Sequence, residues 1–139
     1  MTRAQRHFAN LQKLLKGHQY ASYRVGEYMP LWVEWVGPHS ISICHHGEQN
    51  GDLMRDPEVV FRIGKQVAMP ELFRNDYTGV INECFTYNAN GDPVGIRVAM
   101  QADIAHFCDL WFRNLKDQGF FDAEPVRFTD FETNEKEAI

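Results

Sequence analysis

Apolar residues along the chain keep two different periods, and each change of period marks a change of element. Between Thr2 and Lys16, Ala4, Phe8, Leu11 and Leu15 recur at i, i+4, i+7 and i+11, with Leu14 at the edge of the stripe. That spacing places the side chains on one face of a surface helix. Thr2 offers an N-cap, Lys13 and Lys16 suit the C-terminal end of the helix dipole, and Gly17 offers a left-handed stop. A similar stripe returns at Ile104, Phe107, Cys108, Trp111 and Leu115, with Asp103 as the expected cap and Gly119 as the stop.

Between the helices the period falls to two. Met29, Leu31, Val33 and Trp35 alternate with Trp32, Glu34 and Val36, and after the turn residues Gly37, Pro38 and His39 the pattern resumes from Ser40 to His46. The polar stretch Gly47 to Pro57 reads as a loop, followed by a strand on Val59, Phe61 and Ile63. Val67 to Met69 reads as an edge strand ended by Pro70, Gly79 to Tyr87 as one further strand, and Val94 to Met100 as its return after an Asn90-Gly91 turn. The expected fold is α+β: a twisted, mainly antiparallel sheet of about five strands packed against an N-terminal and a C-terminal amphipathic helix. One domain is expected over residues 1–121, then an acidic, loosely held tail over 122–139, with Asp130, Glu132, Glu135 and Glu137 in solvent.

Composition narrows the function classes. A chain of 139 residues can bury about two thirds of its unfolded surface, so no disulfide or structural metal is required. A net charge of -5 argues against a protein that wraps nucleic acid through its overall field. The N-terminus mixes Arg3, Arg6, Lys13 and Lys16 with brief apolar runs and reads as neither signal peptide nor membrane span, so the cytoplasm is the expected compartment. Cys44, Cys84 and Cys108 lack CxxC spacing, which removes zinc-ribbon and thioredoxin-like readings and points to buried thiols.

Candidate chemistry concentrates between Cys44 and Pro57, which holds the common metal-ligand types and both charge signs. Adjacent strand residues such as His45 and His46 point to opposite faces and cannot share an ion. Asp52 and Asp56 in an extended strand lie roughly 13 Å apart, too far for one metal. His46, Glu48 and Asp52, all reachable around Gly47, form the better metal trio. Against them stands a plainer reading, in which Asn50-Gly51 is a turn, Asp52 bonds its own backbone and Arg55 pairs with Asp56 or Glu58. His46-Gly47-Glu48 matches half of a zinc deaminase signature, but the P-C-x-x-C half is absent. The chain also lacks HExxH, Walker, GxGxxG and GxSxG motifs. Cys44 beside two histidines invites a Cys–His nucleophile, although immediate strand neighbours diverge. The basic residues of the first helix read either as a phosphate patch or as a solvated face, and Trp32 either as covered or as a docking surface.

Ile41-Ser42-Ile43, the run Gly47-Glu48-Gln49-Asn50-Gly51-Asp52-Leu53-Met54-Arg55-Asp56-Pro57-Glu58, Asn75-Asp76-Tyr77-Thr78-Gly79-Val80 and the closing helix Phe107 to Gly119 together carry a resemblance. Over most of residues 8–121 the chain resembles a bacterial domain family of no assigned activity, carried on plasmids and other mobile elements. The resemblance implies a genetic neighbourhood, places the site in the polar run Glu48 to Pro57, and implies that an aromatic residue often stands at the position of His46. Two functions compete, and a third, nucleic-acid binding through the basic face of the first helix, is disfavoured by the overall acidity. The first is a non-enzymatic accessory or protein-interaction domain that contacts a partner through Glu48, Asn50, Asp52, Arg55 and Asp56 together with Trp32 and Tyr77. The second is a small metal-dependent hydrolase or nuclease-like enzyme using His46, Glu48 and Asp52. No cofactor is expected. The expected partner is another protein, with self-association into a homodimer open, and neither nucleic acid nor a membrane is expected.

Overall fold

A computed structural model describes residues 1–132. The first helix, α1 (Arg3–Leu15), starts as its sequence predicts: the Thr2 hydroxyl accepts from the Gln5 N–H, and the Gln5 side chain accepts from the Thr2 N–H, forming a reciprocal capping box. Lys16 itself takes the left-handed cap conformation, one residue before the expected Gly17. The buried stripe of α1 is His7, Leu11, Leu14 and Leu15, and Phe8 is only half-buried. A histidine therefore occupies a core position that an apolar count passes over.

Strands β1 (Tyr20–Tyr23), β2 (Leu31–Gly37), β3 (Ser40–Gln49), β4 (Asp52–Ile63), β5 (Ala68–Asn75) and β6 (Val80–Glu83) form an antiparallel meander. A short pair, β7 (Phe85–Tyr87) and β8 (Pro93–Ile96), precedes α2 (Val98–Asp117), and β9 (Arg127–Thr129) returns to pair with β1. The main sheet has seven strands in the order β6-β5-β4-β3-β2-β1-β9, rather than about five. β1 adds a strand over a stretch to which the sequence pattern assigns no element. The expected strand Gly79 to Tyr87 breaks at Cys84, whose N–H bonds to Glu71 O and whose carbonyl receives the Arg97 N–H, so β7 leaves the main sheet. β5 does not end at Pro70 and is not an edge. Pro70 sits where the β4–β5 register shifts, a position at which its missing N–H is tolerated. Within the segment assigned to the acidic tail, Arg127–Thr129 pairs with Tyr20–Ser22, and Asp130 bonds the His18 ring at 2.5 Å. Glu135 and Glu137 lie outside the described residues.

Both helices cover the same face of the sheet. The register aligns Ala21, Val33, Ile43, Val59 and Phe73 in one row and Trp35, Ile41, Phe61 and Pro70 in the next. Leu11, Leu14 and Leu15 of α1 and Ile104, Cys108, Trp111, Phe112 and Leu115 of α2 join this surface in a single core. α2 begins at Val98, five residues before the expected cap, and Asp103 lies exposed on its second turn. The helix closes in a Schellman arrangement: Gly119 N–H donates to Lys116 O, and Phe120 N–H to Leu115 O, burying Phe120 against the core. Tyr23 ties β1 to α1 by donating its hydroxyl to Leu14 O, and burial pushes that phenol up to about 12. No helix among the described residues is long and apolar enough to cross a membrane.

Candidate functional site

The face of the sheet turned away from the helices is polar, and the motif segment builds one end of it. β3 and β4 continue as a ladder through the stretch expected to be a loop, pairing His46 with Arg55, Gly47 with Met54, Glu48 with Leu53 and Gln49 with Asp52. Only Asn50 and Gly51 form the turn, with φ of 53° and 84°. Consecutive left-handed residues suit the two-residue hairpin turn that Asn-Gly favours. This arm projects beyond the helical cover, so neither face needs an apolar row, and the alternation that betrays a strand is missing.

Side-chain parity then sorts the candidates. His46, Glu48, Leu53 and Arg55 share the open face, whereas Gln49 and Asp52 point to the opposite side. The proposed metal trio is therefore split: His46 and Glu48 stand two residues apart on one strand, roughly 7 Å along it, with Asp52 behind them. Among the described residues no group of three His, Cys, Asp or Glu side chains is placed to hold a metal ion. Trp32 pairs with Cys44 on the open face, while Tyr77 packs on the other side of Gly47 and aims its hydroxyl at Glu48 O, 3.4 Å away. The two aromatic candidates do not form one surface.

The remaining charged groups of the motif are engaged with neighbours. Asp76 accepts both the backbone N–H and the Nε–H of Arg55, at 2.8 and 2.9 Å. That hydrogen bonding holds the Asp76 carboxyl below its usual range and raises the Arg55 guanidinium. Asn75 donates to Asp56 at 2.7 Å and accepts from the N–H groups of Tyr77 and Thr78, shaping the β5–β6 turn. Glu58 accepts from the Ser42 hydroxyl at 2.6 Å and lies 3.9 Å from Arg55 and 3.8 Å from Arg74. Arg55 therefore pairs with Asp76 and Glu58, and Asp56 with Asn75. Asp76, Arg74 and Ser42 escape a sequence reading because cross-strand pairing alone brings them to the motif.

Cys44 and His46, two residues apart on β3, do face one another, with Sγ 3.6 Å from Nε2. A nucleophilic pair needs a thiolate, however. Burial, reinforced by the charge of Glu58, drives the Cys44 thiol far above its ordinary value, and burial lowers the His46 imidazole. Both groups are neutral near pH 7, and the thiol lies in donor range of His45 O. The His46 ring rests on Trp32 with centroids 3.9 Å apart. Beside that pair opens a cleft of about 620 Å³, walled by Tyr20, Tyr28, Met29, Trp32, His46 and Leu53 and rimmed by Arg24, Arg127, Glu27 and Glu48. Tyr20 and Arg127 reach it from β1 and β9, short strands that hydropathy did not reveal.

Among known proteins, a family model described as a domain of unknown function, DUF6908, matches residues 3–121. No curated protein and no solved structure matches the chain.

Proposed function

The chain belongs to the DUF6908 family of domains of unknown function, and we propose that it is a non-enzymatic protein-interaction domain whose aromatic cleft takes an extended segment of a partner protein. One observation carries this reading: the motif's Arg55, Asp56 and Glu58 are engaged with Asp76, Asn75, Ser42 and Arg74, while the cleft beside them is aromatic and left open. Tyr, Trp, Met and Arg are the residue types that protein interfaces favour, because they bring large contact area on rigid rings, an adaptable polarizable thioether or a versatile cation. Tyr28 and Leu53 are 49% and 56% exposed at its mouth. Charges of both signs at the rim suit a polypeptide better than a uniformly charged polymer. The setting we infer is the cytoplasm of a bacterium carrying a mobile element, where the three free thiols would stay reduced.

Selection from a random peptide library on the intact protein, with the affinity of the recovered peptides then measured on Trp32→Ala, tests the proposal. Enrichment of related extended sequences that lose at least about tenfold in affinity on Trp32→Ala is expected, a loss worth about 1.4 kcal/mol at a hot spot. Absence of enrichment, or peptides indifferent to the substitution, would overturn it.

A further inference from the structure

A second concavity lies on the other side of the molecule, between the exposed shoulders of α1 and α2. It measures about 620 Å³ and is bordered by Arg6, Lys13 and Lys16 from α1 and by Arg113 and Lys116 from α2. Asn10 falls between Arg6 and Lys13, so this line follows the i, i+4, i+7 ridge of α1. Arg113 and Lys116 continue the equivalent ridge of α2 from Asp109. Five cations thus face one groove in a chain whose net charge is -5.

The two carboxylates at the groove do not balance them. Asp109 is already held by Arg3 Nε at 2.8 Å and by His7 Nε2 at 2.7 Å. Asp122 is then the one carboxylate at the groove without such a partner. Among the described residues, none of the five cations lies within ion-pair distance of a carboxylate. Arg113 and Lys116 stand one turn apart on α2, and Lys16 caps α1 just beyond Lys13, so both helices bring cations of the last turn or cap to the groove. His7, 1% exposed, borders the groove and helps to hold Asp109 through Nε2. Phe112 and half-buried Phe121 add an apolar floor.

The geometry points to a binding site for a compact anion bearing two or more phosphates. Arg and Lys together suit phosphate oxygens, by forked and by point-charge contacts. A cavity of this size matches small ligands. The protein's overall negative field disfavours a long polyanion, whose flanks would leave the groove and meet acidic surface. The site shares no residue with the Trp32 cleft and stands or falls independently of it.

Inorganic tripolyphosphate is the probe, titrated calorimetrically into the full chain at ionic strength matched with sodium chloride. ATP and a twelve-nucleotide single-stranded DNA run as separate arms. One-to-one binding and a rise in Tm are expected. In Lys13→Gln/Lys116→Gln, binding should weaken at least about tenfold, while the anion-free Tm should fall only slightly, by the loss of two exposed last-turn cations from the helix dipoles. Lys65→Gln, in the exposed β4–β5 turn, should bind as the wild type does. ATP binding more tightly than tripolyphosphate would add a contact between its base and Phe121 to the same site. Unsaturable binding at matched ionic strength, unchanged affinity in the double variant, or tighter binding of the oligonucleotide than of tripolyphosphate would overturn the assignment.

Discussion

At Gly47 the sequence leaves out a side chain for a steric reason. A Cβ there would meet the Tyr77 hydroxyl and lie 3.3 Å from Met29 Sδ, so Tyr77 crosses the hairpin arm in its present position because the residue beneath it is glycine. Gly47→Ala should displace Tyr77 and cost about 1 kcal/mol in denaturant unfolding, the low end of the range for overpacking, because the displaced ring is partly exposed. His7, His45 and His46 are all held below the ordinary 6.5 by burial. The unfolded chain therefore takes up protons at higher pH than the folded one. Stability is complete above about pH 6.5 and is lost as pH falls from there through the depressed folded values. Thermal melts between pH 7.5 and 5 should show this decline. His45 bonds Met29 O and Pro30 O through Nδ1, so His45→Asn, which keeps a nitrogen near that position, should melt lower at pH 7 but show a shallower acid slope. An unaltered slope would remove His45 from the account. None of these roles was legible in the sequence, because a histidine in a polar motif and one facing Trp111 and Phe120 look the same there.

At the scale of elements, legibility followed the presence of a buried face. Both helices and the apolar centres of β2, β3 and β4 were readable because one side of each meets the core. The outer half of the β3–β4 hairpin was not, since it runs past the helices and keeps no apolar row. β1 is too short to establish a period, and the start of α2 lacks a side-chain cap, so Asp103 drew the boundary inward. The hairpin arm is tied to the end of β5 by the double acceptance by Asp76 of Arg55, by the Asp76 N–H on Arg55 O and by Asn75 on Asp56. A double-mutant cycle with Arg55→Ala and Asp76→Ala should give a coupling of about 1 kcal/mol, tempered by the partial exposure of both groups. Zero coupling would mean that the Asn75–Asp56 bond and backbone pairing hold the arm without this ion pair.

For the whole molecule, the division of labour runs between the two faces of the sheet. Leu115 is fully buried where α2 meets the core, and Leu115→Ala should cost about 2–5 kcal/mol. Trp32→Ala, on the open face, should cost less stability than that, which leaves its effect on binding separable. The sequence located the motif that borders the site but not the cleft, since Tyr20, Tyr28 and Arg127 come from separate segments assembled only by the β9-β1-β2-β3 order. It likewise could not show that Asp52 turns away from His46 and Glu48, which depends on hairpin register. The account rests on the open face binding polypeptide at the Trp32 cleft. The most direct measurement is a two-dimensional NMR titration with a library-selected peptide. Shifts confined to Tyr20, Trp32, His46, Leu53 and their neighbours are predicted, whereas shifts centred on α1 and α2 would contradict it.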